Sequence, residues 1–273
     1  MTDSVNRDAT DLGSRRLWTI SRADSPVVGT AIHDGDGVRK SLLNRFALSA
    51  SERLREEDPF TAFLIDDLPN KVVCHRSRFE VDLNRGRDGA VYISPEQAWG
   101  LNVWRDPLPQ DEKARSLALH DSYYAMLRFV LKEVELNFGK FVLLDVHSYN
   151  HRRTAPDVET NQQDAPDINI GTFSMDRERW AHVVDPLIAH LRTISVNGMN
   201  LDVRENVAFQ GRGEQTRFIH EVFPATGCAI AIEFKKIFMD EWTGEPDRAV
   251  LEELRRGLAG AVPLLERILG YGQ

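Results

Sequence analysis

The sequence of 273 residues predicts an α/β protein built around a parallel β-sheet. The main observation is the unbroken apolar run at residues 141–144, which is typical of a strand buried on both faces. A second observation is the helical spacing of apolar residues over 113–138, directly before that run, with Gly139 placed to end the helix. No internal repeat or linker interrupts the chain, so we expect a single domain over residues 17–273.

The composition limits the classes of protein to which the chain can belong. The 42% of hydrophobic residues is ample for a core in a chain of this length. The formal net charge of −8 argues against nucleic-acid binding, because that role needs a basic surface. Two cysteines provide no disulfide framework. No stretch is apolar for long enough to cross a membrane, so we expect a cytoplasmic protein without a membrane partner.

Residues 1–16 are polar and predict a disordered N-terminal tail. They lack the apolar segment of a signal peptide, which agrees with a cytoplasmic location. We therefore expect the folded part of the chain to begin at residue 17.

Short apolar stretches bounded by glycine or polar residues predict the other strands. These strands are expected at residues 26–32, 71–75, 79–83, 167–172 and 228–234. Alternation in the last strand puts Ala229, Ala231 and Glu233 on one face. Because the two alanines are small, we expect that face to border a pocket into which Glu233 points.

Helical periodicity and turn residues predict the remaining elements. Helices are expected at 42–57, at 113–138, after Asp176 as a capping residue, and at 246–269 with a kink at Pro263. The stretch 89–110 contains three prolines and predicts a long ordered loop. The glycines within 200–221 predict a flexible loop near the site.

Three predicted strands end in side chains that can carry chemistry, namely His33, His147 and Glu233. Such groups collect at the carboxyl ends of the strands in a parallel sheet. Asp145 lies two residues before His147, so within a strand its side chain points to the same side. We expect Asp145 to support one of the histidines or a neighbouring arginine.

Two histidines, one carboxylate and an open position form the ligand set of a catalytic zinc site. His33 and His147 are the candidate nitrogen ligands. The candidate acidic ligand is Asp36, three residues after His33, or a member of the acidic cluster at residues 56–58. Glu233 is the candidate general base for the water molecule that the metal activates.

Arginines are concentrated between residues 76 and 87 of an otherwise acidic chain. Arg78 and Arg85 are candidates for binding a substrate carboxylate, because a guanidinium fork matches the two carboxylate oxygens. The sequence contains no G-x-S-x-G motif and no phosphate-binding glycine loop after a strand. Serine hydrolysis and nucleotide binding therefore have no support.

These residues and their order resemble the N-formylglutamate amidohydrolase family. His33 is followed by three motifs of that family, SRFEVDLNR at 77–85, LLDVHS at 143–148 and AIEFKKIFMDE at 231–241. The family is similar in fold and site layout to the zinc carboxypeptidases, whose H-x-x-E, N-R and H-S-Y patterns have counterparts here. The counterparts are His33-x-x-Asp36, Asn84-Arg85 and His147-Ser148-Tyr149.

The resemblance implies a mixed, mostly parallel sheet flanked by helices, similar to the zinc carboxypeptidase and phosphorylase/hydrolase-like fold. It also implies one Zn²⁺ ion, with His33 and His147 as ligands. The carboxypeptidase pattern points to Asp36 as the acidic ligand. The amidohydrolase pattern instead has an acidic cluster about where Glu57 and Asp58 stand, which makes Asp58 a candidate nearly level with Asp36, and the choice stays open. Glu233 matches the general base and acid of the family.

The resemblance further implies which side chains bind the substrate. Arg78, Asn84 and Arg85 match contacts to the substrate carboxylate and the developing oxyanion, so Arg85 also takes part in catalysis. Arg217 matches an arginine in a late loop of the family. The implied function is zinc-dependent hydrolysis of an amide bond next to a carboxylate in a small N-acyl amino acid or a short peptide. The alternatives are a carboxypeptidase acting on a peptide C-terminus and a non-catalytic relative that binds carboxylates.

Two departures from the family pattern bear on the substrate. The residues after His33 lack the proline that the family usually places there, and residues 209–213 match its Gly-Gly loop only loosely. The resemblance therefore supports amide hydrolysis more strongly than it supports N-formylglutamate as the substrate.

Overall fold

A seven-stranded mixed β-sheet forms the centre of the computed structural model, which describes residues 16–271. The strands are β1 (Trp18–Ser21), β2 (Val27–Ala31), β3 (Asn70–Cys74), β4 (Phe141–Tyr149), β5 (Ile168–Gly171), β6 (Ser195–Val196), β7 (Met199–Asn200), β8 (Val203–Glu205) and β9 (Gly227–Lys235). Strands β6 and β7 pair with each other in a separate two-stranded hairpin. The order across the sheet is β1-β3-β2-β4-β9-β5-β8. Neighbours are parallel except in the β1–β3 and β5–β9 pairs. The predicted α/β class with a mixed, mostly parallel sheet is confirmed.

Helices cover both faces of this sheet. They are α1 (Lys40–Leu43), α2 (Ala50–Glu56), α3 (Thr61–Leu64), α4 (Gln110–Phe138), α5 (Ala181–Leu191), α6 (Glu214–Val222), α7 (Arg248–Ala259) and α8 (Val262–Ile268). Within residues 16–271, no helix has the length and apolar character needed to cross a membrane. The predicted disordered tail of residues 1–16 lies outside the described residues, apart from Arg16.

The central strand β4 is buried along its whole length, as its apolar start predicts. Phe141 and Leu143 join the core formed with α4 and α6, whereas Val142 and Leu144 join the core formed with α5, α7 and α8. Side chains alternate between the faces of a strand. The side chains of Asp145 and His147 therefore continue the row that faces α4 and α6.

Residues 79–83 form turns where the sequence analysis predicts a strand. Phe79 packs with Tyr92 in a small separate core, whereas Val81 and Leu83 pack in the core beside α4. The apolar residues thus alternate because their side chains pack into two different cores, and not because the segment is a β-strand. The acidic side chains between them are buried and serve as ion-pair partners.

Three predicted boundaries also differ from the structure. The helix predicted at 42–57 splits into α1 and α2, because Ser49 starts α2 with a capping box. The helix predicted at 246–269 is two helices, since Pro263 lies in the first turn of α8, where proline is tolerated. The loop predicted at 200–221 contains β8 and α6.

Glycine fixes the 206–213 loop against the sheet instead of loosening it. A Cβ atom on Gly171 of β5 would lie 2.5 Å from the Cα of Gly211, and Gly211 itself has φ of 75°. The backbone N–H of Phe173 donates to the carbonyl of Gln210 at 2.8 Å. The two backbones approach this closely only because neither residue has a side chain.

Candidate active site

The carboxyl ends of three neighbouring strands bring the predicted site residues to one edge of the sheet. His33 lies two residues beyond β2, while His147 and Glu233 lie directly opposite each other on β4 and β9. The rings of His33 and His147 are buried, with their centroids 4.9 Å apart. The structure therefore brings His33, His147 and Glu233 together at the strand ends, where the sequence predicts them.

Asp58 lies between the two histidines. Its Oδ2 atom is 2.9 Å from Nδ1 of His147 and 3.4 Å from Nδ1 of His33. All three side chains are buried, and their donor atoms lie within 4.8 Å of one another. Within residues 16–271 this is the one cluster of at least three histidine, cysteine or acidic side chains with the spacing to hold a metal ion.

Two further carboxylates set the orientation of the imidazole rings. Nε2 of His33 is 2.8 Å from Oδ1 of Asp82, and Nε2 of His147 is 3.1 Å from Oδ1 of Asp145. When Nε2–H donates to these carboxylates, each ring turns its Nδ1 atom toward Asp58. Nδ1 of His33 is buried and has no hydrogen-bond partner among the described residues. Its lone pair is therefore available to a cation.

The charges at this cluster are strongly coupled. Burial raises the pKa of Asp58, but the hydrogen bond from His147 and the charges of His33 and Arg78 outweigh burial and hold that pKa well below its usual value. Burial lowers the pKa of His147, but Asp145 and Asp58 outweigh burial and hold that pKa well above its usual value. The carboxylates thus require positive charge beside them, and a metal ion would supply it in place of a proton.

Asp82 receives hydrogen bonds from several sides. Oδ1 accepts the backbone N–H of Asn84 at 2.9 Å, and Oδ2 accepts Nη2 of Arg78 at 3.0 Å as well as the hydroxyl of Tyr92. Nε of Arg85 lies 3.4 Å from the same Oδ2. Burial raises the pKa of Asp82, but its cationic neighbours outweigh burial and hold that pKa well below its usual value. Asp82 therefore contacts His33 as well as both predicted arginines, Arg78 and Arg85.

Glu233 reaches the same space from β9. Removal from water raises the pKa of Glu233 to about 7, and the nearby carboxylates of Asp58 and Asp145 add to this effect. A carboxylate with a pKa near neutrality can both accept and release a proton at neutral pH. The position of Glu233 is set by the register of β9 against β4.

A pocket of about 240 Å³ is lined by His33, Asp58, His147 and Glu233. The predicted substrate-binding residues Arg78, Asn84 and Arg85 lie in its wall. The wall also contains residues for which the sequence predicts no role, among them Trp99, Asn150, Arg153, Phe209 and Lys236. The pocket thus combines the buried His–Asp–His cluster with Glu233 and several cationic groups.

Asp36 and Arg217 are not among the residues that line this pocket. Arg217 lies on the exposed side of α6, where it pairs with Glu214 and with Oε1 of Glu221 at 3.1 Å. Acidic groups of its own helix therefore satisfy its charge, and the structure does not bring it to the predicted substrate site. Asp36 is likewise outside the three-residue cluster, which contains Asp58.

Asp82, Tyr92 and Lys236 take part in the site, and the sequence analysis assigns them no role. Asp82 stands in the D-L-N-R motif beside Arg85, so its position in the motif was a usable signal. Tyr92 comes from the proline-rich loop, whose path no local pattern reveals. Lys236 follows another lysine at the end of β9, and nothing in the sequence distinguishes the two.

Comparison with known proteins agrees with this description. A sequence model of the N-formylglutamate amidohydrolase family matches residues 25–239, whereas no curated protein matches the chain. The crystal structure of N-formylglutamate amidohydrolase from Ralstonia eutropha JMP134 is similar with a TM-score of 0.73 and 15% identity, covering 92% of this chain and 98% of that one. A gene product of Agrobacterium tumefaciens is similar with a TM-score of 0.60 and 17% identity, covering 94% of each chain. These two likenesses show a shared fold.

The fold and the pocket define an α/β protein with a buried His–Asp–His cluster at the carboxyl edge of its sheet. The family match spans well over half of the chain, so the protein belongs to the N-formylglutamate amidohydrolase family, and the resemblance seen in the sequence is confirmed. Membership places it among hydrolases of that type. A metallo-carboxypeptidase from Pseudomonas aeruginosa also aligns at 14% identity, but its TM-score of 0.36 supports no conclusion.

Replacing Asp82 tests how much the buried carboxylate stabilises the fold. Asp82→Asn should lower the free energy of unfolding at pH 7 by about 3 kcal/mol, because Arg78 and His33 lose their buried anionic partner. The pKa of Asp82 is lower in the folded state than in the unfolded state, so its contribution is complete above about pH 4 and declines below it. Urea denaturation should therefore show the difference from wild type shrinking as the pH falls below about 4.

Asp121→Asn is the matched control, since it removes an acid from an exposed pair with Arg87. This variant should change stability little at any pH. Equal losses in both variants, or a loss in Asp82→Asn that does not depend on pH, would contradict the assignment.

Proposed function

We propose that the protein is a zinc-dependent amidohydrolase that cleaves an amide bond next to a carboxylate in an N-acyl amino acid or a short peptide. The observation that carries the proposal is the convergence of His33, Asp58 and His147 on one point, with Glu233 on the neighbouring strand. Family membership supports a hydrolase of the N-formylglutamate amidohydrolase type.

The donor set suits zinc. Catalytic zinc sites take three protein ligands from histidine and carboxylate side chains and leave one position open. Asp82 and Asp145 stand behind the two imidazoles, and such partners raise the basicity of a ligand and fix its tautomer. A bound zinc ion would supply a Lewis acid that brings the pKa of water down toward about 7 and polarises the amide carbonyl.

Glu233 is the group that we expect to move protons. Its raised pKa of about 7 suits a carboxylate that takes a proton from the attacking water and later delivers it to the leaving amine. The register of β9 holds it opposite His147, so its distance from the cluster is set by a rigid element. A non-catalytic relative would have no need for this arrangement.

The arginines provide the contacts for the substrate. Arg85 lines the pocket with 33% of its side chain exposed, so its guanidinium can form a charge-assisted fork with a carboxylate. Arg78 is held by Asp82 and by the carbonyl of Glu56 at 3.2 Å, which makes it a fixed donor for a developing oxyanion. Asn84 lies beside them in the pocket wall.

The size of the pocket favours a small substrate. Its volume of about 240 Å³ lies below the range of about 300–1,000 Å³ that is typical of drug-sized ligands. An N-acyl amino acid suits this volume better than the end of a long peptide. We therefore rank a carboxypeptidase second.

The acidic ligand can be identified by comparing two aspartates. Wild-type protein should bind one zinc ion per chain, and Asp58→Asn should weaken that binding by more than about 100-fold, since a lost ligand costs more than a lost supporting residue. Asp36→Asn should leave it nearly unchanged. Competition with a chromophoric chelator measures both affinities. Loss of zinc in Asp36→Asn, with retention in Asp58→Asn, would reverse the assignment.

Replacing Glu233 tests the proposed function most directly. Glu233→Gln keeps the size of the side chain and removes the base, so turnover of N-acyl amino acids should fall by roughly 10²–10⁴-fold while zinc content and melting temperature stay close to wild type. Glu221→Gln, an exposed acid paired with Arg217, is the control and should retain activity. Full turnover in Glu233→Gln would overturn the proposed chemistry.

Arg85→Lys tests the contact with the substrate carboxylate. Lysine keeps the charge but loses the planar fork, so kcat/KM for free-acid substrates should fall by about 10-fold or more. Substrates with an amidated carboxyl group should react equally poorly with both forms, because they cannot use the fork. Unchanged kinetics on the free acids would remove Arg85 from the binding site.

A further inference from the structure

Asp58 stands outside every helix and strand, in the short connection between α2 and α3. The next residue, Pro59, has no N–H to donate, and Phe60 adopts a left-handed φ of 71°. The backbone N–H of Asp58 donates to the carbonyl of His33 at 3.0 Å, and its carbonyl accepts the hydroxyl of Thr61 at 2.7 Å. Without the repeating bonds of a regular element, the position of Asp58 depends on individual contacts such as these.

The carbonyl groups before Asp58 are bound by side chains. Nζ of Lys236 donates to the carbonyl of Arg55 at 2.7 Å and to the carbonyl of Glu57 at 2.8 Å. Arg78 donates to the intervening carbonyl of Glu56 at 3.2 Å. Lys236 therefore binds the backbone at two points within the last turn before the acidic residue, and its side chain is buried with 1% exposure.

Lys236 also lies next to the strand ends that carry the other site residues. It follows the last residue of β9, three positions after Glu233. Its backbone N–H donates to the carbonyl of Tyr149, the last residue of β4, at 3.0 Å. One residue thus joins the ends of the strands bearing Glu233 and His147 to the connection that bears Asp58.

We propose that Lys236 is a positioning residue that holds the connection bearing Asp58 at the correct distance from His33 and His147. This inference rests on the proposed role of Asp58 as a zinc ligand. Lys236 acts through the backbone carbonyls of Arg55 and Glu57, and it neither binds the metal nor touches the reacting atoms.

The sign of the effect on zinc affinity separates this role from a purely electrostatic one. An ammonium group near a dication repels it, so removing a bystander lysine would tighten zinc binding. Removing a positioning residue would instead weaken zinc binding, because Asp58 would no longer be held against the two imidazoles. The two explanations predict opposite changes for the same substitution.

The neighbouring lysine provides a matched control. Lys235 is also buried at the end of β9, but its Nζ atom contacts Asp167 at 2.7 Å and the carbonyl of Ala165 at 3.1 Å, on a different segment of the chain. Lys235→Met and Lys236→Met therefore each remove one buried ammonium group from adjacent positions. Only the second substitution releases the connection before Asp58.

The experiment measures zinc affinity and amide hydrogen exchange in the wild type and both variants of the full chain. Lys236→Met should weaken zinc binding by about 10–100-fold, the usual effect of losing a residue that supports a ligand, whereas Lys235→Met should stay close to wild type. In the zinc-free proteins, the amide of Asp58 should exchange faster in Lys236→Met alone. Lys236→Gln retains a donor and should show a smaller loss, which keeps the test possible if the methionine variant does not fold.

Unchanged or tighter zinc binding in Lys236→Met, or equal weakening in both variants, would overturn the inference. Failure of the wild type to bind zinc would instead refute the proposed function. The exchange measurement needs no zinc, so it still decides whether Lys236 holds the connection in that case. Exchange of the Asp58 amide at the wild-type rate in Lys236→Met would refute the inference independently.

Discussion

Three buried carboxylates at one edge of the sheet, those of Asp58, Asp82 and Asp145, form the constraint on which the rest of the site depends. An ionised carboxylate removed from water is destabilising unless donors or cations surround it. Each imidazole lies between two of these carboxylates, so neither ring can turn without losing a bond. The geometry of the cluster is therefore established by the protein itself, and the burial of charge explains why arginine and lysine side chains gather around it.

The central part of the fold and two of the three cluster residues were predictable from sequence for a physical reason. A buried parallel strand leaves an unbroken apolar run, and β4 shows one that ends in His147. Alternation along β9 places Glu233 on the face of Ala231, and both residues line a cavity at this edge of the sheet, whereas Ala229 packs in the core beside α4 and α6. These inferences needed only the period of a strand and the rule that chemistry collects at strand ends.

The parts that the sequence could not decide lie in irregular segments. The choice between Asp36 and the cluster of Glu57 and Asp58 stayed open because the distance of each from His33 depends on how a loop folds, and loop paths leave no periodic pattern. Phe79–Leu83 alternates like a strand, yet the structure divides its apolar side chains between two cores. Arg217 matched a family position in sequence, but α6 turns it outward to pair with acids of its own helix.

The central claim is that two imidazoles and the carboxylate of Asp58 bind one zinc ion beside Glu233. Zinc K-edge X-ray absorption on the zinc-loaded protein tests it most directly, since the spectrum reports the type and distance of each ligand. The account predicts two imidazole nitrogens at about 2.0–2.1 Å together with carboxylate or water oxygens, and no sulfur. A spectrum without imidazole scattering, or with sulfur at about 2.3 Å from Cys74 or Cys228, would contradict it.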